Sequence, residues 1–268
     1  MIEQLIEGFW CQDPPSTPQL AVPVSVPNLA FNAAMATTDA QQQAIGCLTL
    51  IAFYFLLRVG EYTQPKFVYR NNKKCRATQT VQFTLKNVGF FKQGQVVPRS
   101  SSLETLLQCD AATLEITNQK NGRMGNTIHH ETIDILKCPV KALAHRVYHI
   151  KINKGTDNTL LCAYLDINNE WQQIQSQDIV QAVQAATKTL KLKKQVIDPG
   201  LVRAHSLCTG GATSMKLHGS SDIEIKKFGR WSSLTFTQYI HTQIAHLSNG
   251  VSKQMSTELP FVNIAAFD

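Results

Sequence analysis

Apolar residues recur at helical spacing over residues 39–57, at positions 44, 45, 48, 51, 52, 55 and 56, which predicts a long core helix running into Arg58-Val59-Gly60-Glu61. The helical pattern returns over residues 139–152, where Pro139 suits a first turn, and again over 176–190 and 205–217. Between these segments the period changes to two. Residues 81–85 and 88–97 alternate around Lys86-Asn87 and Gln93-Gly94, and residues 113–117 are spaced to pair with 127–132 across Asn121-Gly122. The pattern therefore predicts a mainly α chain with a small antiparallel β-sheet, an α+β fold. Residues 2–10 also have helical spacing, and prolines at 14, 15, 18, 23 and 27 then impose an extended connector. Ile240, Ile244, Leu247 and Val251 form a last amphipathic stretch.

At 268 residues the chain is long enough to bury a sizeable core. Lys and Arg number 26 against 19 Asp and Glu, a formal charge of +7 that suits a phosphate-bearing partner. Charge alone leaves nucleic acid and ordinary solubility as equal readings. The seven cysteines form no Cys-x-x-Cys pair and their number is odd, which argues for reduced thiols in an intracellular compartment and against a zinc ribbon or a disulfide framework. The apolar run 45–57 is shorter than the roughly 20 residues a membrane span needs, and no secretory pattern opens the chain. The basic residues are scattered, so no import signal is legible.

Chemistry concentrates towards the C-terminus, in His205-Ser206-Leu207-Cys208-Thr209-Gly210-Gly211, then Phe228-Gly229-Arg230-Trp231-Ser232-Ser233, then Tyr239-Ile240-His241. This run resembles the active-site block of tyrosine recombinases: His-x-x-Arg at a helix start, a Gly-His or Gly-Arg-Trp turn, and a tyrosine about eight residues on. The wording Gly-Arg-Trp-Ser-Ser with Tyr-Ile is most similar to the branch found in DIRS-like retrotransposons and Cryptons. The resemblance implies a recombinase catalytic domain over residues 28–250, preceded in 1–27 by a stub of a core-binding domain and a Pro-rich linker, and followed by a tail over 251–268. It further implies double-stranded DNA as partner, a synaptic tetramer that exchanges C-terminal segments, no membrane, no metal or cofactor, and a nuclear location if the host is eukaryotic.

The implied chemistry replaces a phosphodiester by a 3′-phosphotyrosyl bond and then reverses the step. Charge builds on the non-bridging oxygens, so fixed cationic donors are needed, with a proton donor for the leaving 5′ oxygen and an acceptor for the tyrosine. By resemblance, Arg58 clamps the phosphate with its planar fork and Lys120, in Asn118-Gln119-Lys120-Asn121-Gly122, is the general acid on a hairpin. His205 assists proton transfer, Trp231 donates its indole N–H, and Tyr239, eight residues after Trp231, is the nucleophile. Each has a plainer reading: a helix-terminal arginine, a solvated turn lysine, a helix-start histidine and two core aromatics. Their order along the chain favours the site. Lys86, in the preceding turn, is the alternative lysine.

One position departs from the pattern. Cys208 stands where the second arginine belongs, one turn after His205, and a thiol cannot fork onto two oxygens. Loss of such a donor costs roughly 3–7 kcal/mol, or about 10² to 10⁵ in rate. Three functions stay open: a mobile-element recombinase or integrase impaired at Cys208, a catalytically inactive DNA-binding remnant, and, on weaker grounds, a helical interaction protein with no DNA role. Arg203 and Arg230 are neighbours in sequence, but Arg203 precedes the helix and Arg230 already belongs to the motif, so neither is expected to substitute. A metal site built on His205 and Cys208 lacks further ligands nearby in sequence.

Overall fold

The computed structural model describes residues 20–65, 67–70, 73–76, 80–116, 126–133, 138–192 and 197–231. Its helices, in chain order, are α1 (Ser25–Met35), α2 (Ala40–Tyr54), α3 (Val59–Tyr62), α4 (Leu103–Leu107), α5 (Pro139–Ile152), α6 (Ser176–Thr189), α7 (His205–Leu217) and α8 (Asp222–Gly229). The strands are β1 (Phe67–Arg70), β2 (Lys73–Arg76), β3 (Val88–Lys92), β4 (Gln95–Val97), β5 (Ala111–Ile116), β6 (Asn126–Glu131), β7 (Ala163–Leu165) and β8 (Trp171–Gln173). The fold is mainly helical with a small antiparallel sheet, in the order β4-β3-β5-β6, and two separate two-stranded hairpins, β1-β2 and β7-β8. Among the described residues no helix is long and apolar enough to cross a membrane.

Helix α2 is the axis of the core. The Asp39 carboxylate caps its start by accepting from the N–H groups of Gln41 at 2.8 Å and Gln42 at 3.3 Å. Every residue from Ala44 to Phe53 is buried, as expected of a helix covered on all sides by other elements. It packs against α1, α5, α6 and α7. The approach of α1 is close enough that a Cβ on Gly46 would lie 2.3 Å from the Ala34 Cβ.

Sheet pairing follows the expected hairpins with small shifts. β3 and β4 turn at Gln93 and Gly94, whose φ values of 51° and 75° suit the tight turn of a right-twisted hairpin. β5 and β6 pair from Ala111 opposite Glu131 to Ile116 opposite Asn126.

Two expectations are corrected. Residues 81–85 do not form a strand: Thr84 makes an isolated bridge to Leu160, and Leu85–Asn87 is a 3-10 turn. The Asn87 side chain accepts from the Thr84 N–H at 2.8 Å, a local bond that turns the chain away from a ladder. The extended connector also ends before Pro27. Helix α1 begins at Ser25, with Pro27 in its first turn, where a missing N–H costs nothing. Val22 and Val26 are fully buried in the main core, and the Val22 N–H donates to the Ser206 carbonyl at 3.3 Å.

Candidate active site

The site begins where α2 ends. Phe55 caps the helix, Leu56 takes φ +47°, and the Leu57 N–H returns to the Ala52 carbonyl at 3.0 Å, a helix-ending turn usually made by glycine. A leucine held in the left-handed region costs about 1–2 kcal/mol. The turn aims the Leu56 carbonyl at α7 and α8 and delivers Arg58 as the cap of α3.

Two glycines fix α7 against this turn. A Cβ on Gly211 would lie 2.3 Å from the Phe53 carbonyl oxygen and 2.4 Å from Leu56 Cδ2, and one on Gly210 would lie 2.2 Å from the Val22 carbonyl oxygen. The start of α7 is also joined to α3 by the Tyr62 hydroxyl, buried and 3.5 Å from the Ala204 carbonyl oxygen. Helix α8 is nucleated by a reciprocal cap: Ser221 Oγ accepts from the Glu224 N–H at 3.2 Å, and Glu224 accepts from the Ser221 N–H at 2.7 Å. The helix ends on Arg230, itself left-handed at φ +60°. The Trp231 ring folds back over Gly229, where an added Cβ would lie 2.2 Å from the indole.

These elements gather Arg58, Glu61, His205, Cys208, Arg230 and Trp231. Glu61 is buried at the centre. Its carboxylate accepts from the Arg58 backbone N–H at 2.8 Å and from both terminal nitrogens of Arg230, at 3.4 and 3.1 Å. Arg230 Nη2 also donates to the Leu56 carbonyl oxygen at 3.1 Å, and Arg58 Nη2 donates to the Arg230 carbonyl oxygen at 3.2 Å. Cys208 is wholly buried, and its thiol donates to the Leu56 carbonyl oxygen at 3.3 Å. Burial, with the Glu61 charge beside it, pushes that thiol up to about 12, so it is neutral at ordinary pH. Cys208 packs with Leu56, Ala212 and Ile225, and Trp231 lies against the same cluster.

His205, at the start of α7, titrates below the ordinary histidine range, because burial and then the Arg58 charge disfavour its cationic form. A neutral imidazole near a partly exposed guanidinium can accept a proton while the guanidinium holds an anion. Sequence reasoning did not assign Arg230 to the Glu61 carboxylate. The signal available was the capping pattern Ser221-x-x-Glu224, which defines α8 and so where Arg230 emerges.

The remaining candidates fall elsewhere. Arg203 is exposed and donates to the carbonyls of Gly200 at 2.7 Å and Val202 at 3.2 Å, so it does not substitute at position 208. Lys86 is exposed beside an ion network in which Arg99 and Lys151 each reach Asp157 at 3.2 Å; its own N–H donates to the Asp157 carbonyl at 2.9 Å. Lys120 and Tyr239 lie outside the described residues. Among the described residues no group of three or more His, Cys, Asp or Glu side chains is placed to hold a metal.

Fold and site together define an α+β domain with a cationic cluster built around one buried carboxylate. No family model and no curated protein matches the chain. Among solved structures, the chain is similar to XerA recombinase, with 16% identity and a TM-score of 0.48, covering 92% of this chain and 67% of that one. It is also similar to the Tn1549 transposon integrase in complex with transposon right end DNA, with 12% identity and a TM-score of 0.45, covering 91% of this chain and 68% of that one.

Proposed function

We propose that this chain is the catalytic domain of a tyrosine recombinase of a mobile element, most similar in motif wording to the DIRS-like and Crypton branch, acting on double-stranded DNA. The observation that carries the reading is the convergence of segments far apart in sequence: Arg58 Nη2 donates to the Arg230 carbonyl oxygen at 3.2 Å, and the Cys208 thiol, one turn after His205, donates to the Leu56 carbonyl oxygen at 3.3 Å. In this reading Arg58, with a 22% exposed side chain, binds the scissile phosphate. His205 takes part in proton transfer as a neutral imidazole. Trp231 walls the site, Lys120 protonates the leaving 5′ oxygen and Tyr239 attacks phosphorus. Assembly is a synaptic tetramer on DNA, within the nucleus of a eukaryotic host.

A second reading is a DNA-binding remnant without turnover. It is supported by Cys208, which brings no charge to the arginine position, and by Arg230, whose guanidinium is engaged by Glu61. A nicked duplex that releases a short fragment on cleavage separates the two. The enzyme reading expects an SDS-stable protein–DNA adduct that is lost in Tyr239→Phe and reduced by at least about 10²-fold in Arg58→Ala. Salt-dependent duplex binding with no adduct gives the remnant. No binding at all contradicts both.

A further inference from the structure

Two arginines approach one buried carboxylate, and they do so unequally. The side chains of Glu61 and Arg230 are 3% and 2% exposed, against 22% for Arg58. Arg230 engages both carboxylate oxygens, at 3.4 and 3.1 Å, whereas Arg58 Nη1 stands 3.9 Å from Glu61 Oε1, beyond hydrogen-bond distance. Two guanidinium groups and one carboxylate leave a net charge of one, and its exposed share belongs to Arg58.

We propose that Arg230 is a positioning residue that holds the place left by the missing arginine at 208 and, by occupying Glu61, keeps Arg58 free to bind an anion. The nature of that anion, a DNA phosphodiester, and the expectation of an arginine at 208 rest on the recombinase reading; the engagement of Glu61 by Arg230 rests on the geometry. Arg230 Nη2 and the Cys208 thiol converge on one acceptor, the Leu56 carbonyl oxygen, at 3.1 and 3.3 Å. The guanidinium therefore fills space beside the short side chain at 208. The Arg230 carbonyl also accepts from Arg58 Nη2 at 3.2 Å, so one residue screens the carboxylate and orients the partly exposed cation. These contacts are made despite a left-handed backbone at Arg230 and a buried Nε with no acceptor among the described residues.

Without Arg230, Glu61 has Arg58 as its neighbouring cation, and the pair is neutral. Neutralising Glu61 at the same time frees Arg58 again. The test compares Arg230→Met, the double variant Glu61→Gln/Arg230→Met, and Arg58→Ala alone and in each background, with folding verified by circular dichroism and thermal unfolding. Each is titrated with a fluorescent nicked duplex, and separately with inorganic phosphate read as a rise in melting temperature.

Arg230→Met is expected to weaken duplex binding roughly 10- to 100-fold, with Arg58→Ala adding nothing further in that background. The double variant is expected to recover to within about threefold of wild type, and to lose that recovery when Arg58→Ala is added. A folded Arg230→Met that binds like wild type overturns the inference, as does a folded double variant that binds like Arg58→Ala. If Arg230→Met does not fold, the double variant decides by the same criterion. Phosphate stabilisation that depends on both arginines, without duplex binding, supports the inference and contradicts the DNA reading. Duplex binding indifferent to both arginines does the reverse, and a wild type that binds neither probe overturns the inference.

Discussion

Cys208 and Arg230 donate to the same oxygen, the backbone carbonyl of Leu56, from two different helix termini. A position that is neutral and short is thereby paired with one that is charged and long. The relationship makes Cys208→Arg more than the restoration of a missing charge. A second guanidinium at a position of zero exposure would meet Arg230 against the same acceptor. Cys208→Arg alone is expected to lower stability by about 2 kcal/mol or more through overpacking and like-charge contact, and to cost less in an Arg230→Ala background. A double-mutant cycle by chemical denaturation checks this, with a coupling of at least about 1 kcal/mol expected.

The close seat of α7 is tested at Gly211. A methyl group there meets the Phe53 carbonyl oxygen and Leu56 Cδ2, and the backbone oxygen cannot move without disturbing the end of α2. Gly211→Ala is expected to cost about 1–3 kcal/mol despite the better helix propensity of alanine. On the exposed turn after α7, a Cβ on Gly219 meets nothing within 4 Å. Its φ of +90° nevertheless makes Gly219→Ala mildly destabilising, by about 1 kcal/mol. Thermal unfolding of the two variants separates contact from backbone strain.

Much of the fold is legible in the chain, because α2, α5, α6 and α7 carry a sustained helical pattern, and α2 and α5 also a start signal. Asp39 and Pro139 are examples that the structure uses as caps or first-turn residues. Short elements were not legible: α4 has five residues and β7 and β8 three each, too few to show a period. Among the residues gathered there, Arg58, His205 and Trp231 are singled out by their order along the chain, whereas Arg230 enters only as part of a turn. Its role depends on a long-range pairing with Glu61, across the start of α3 and the end of α8, that no local pattern encodes.

His130 supplies a pH dependence. Its ring is packed between Phe55 and Phe228, at centroid distances of 4.5 and 5.4 Å, with Nε2 2.9 Å from the Tyr54 carbonyl oxygen, so Nε2 carries the proton. Burial lowers its titration to about 4, partly offset by that hydrogen bond. The unfolded chain therefore binds more protons than the folded one between about pH 6.5 and 4. Stability from this residue is full above about pH 6.5 and falls as acid is added, by a total of about 3 kcal/mol at most. Unfolding free energies measured across this range should show the acid slope, and His130→Gln should reduce it while lowering stability at neutral pH.

Arg146 tests what holds β7 to α5. It is fully buried; Nε donates to the Leu161 carbonyl at 3.2 Å and Nη2 to the Ala163 carbonyl. Arg146→Ala leaves these two carbonyls without their donor and opens a cavity, so a loss of about 3–5 kcal/mol is expected. Denaturant unfolding measures it directly. Since Arg146 makes no contact with Glu61 or Arg58 in the hydrogen-bond network described above, affinity of the folded fraction for duplex DNA should be unchanged.

In the proposed recombinase Tyr239, outside the described residues, completes the site built on Arg58 and His205. The most direct measurement is peptide mapping by mass spectrometry after incubation with a nicked duplex at saturating protein. The expected result is a nucleotide-bearing peptide with the modification on Tyr239, absent from Tyr239→Phe. A modification on another residue, or none while the duplex is fully bound, would contradict it.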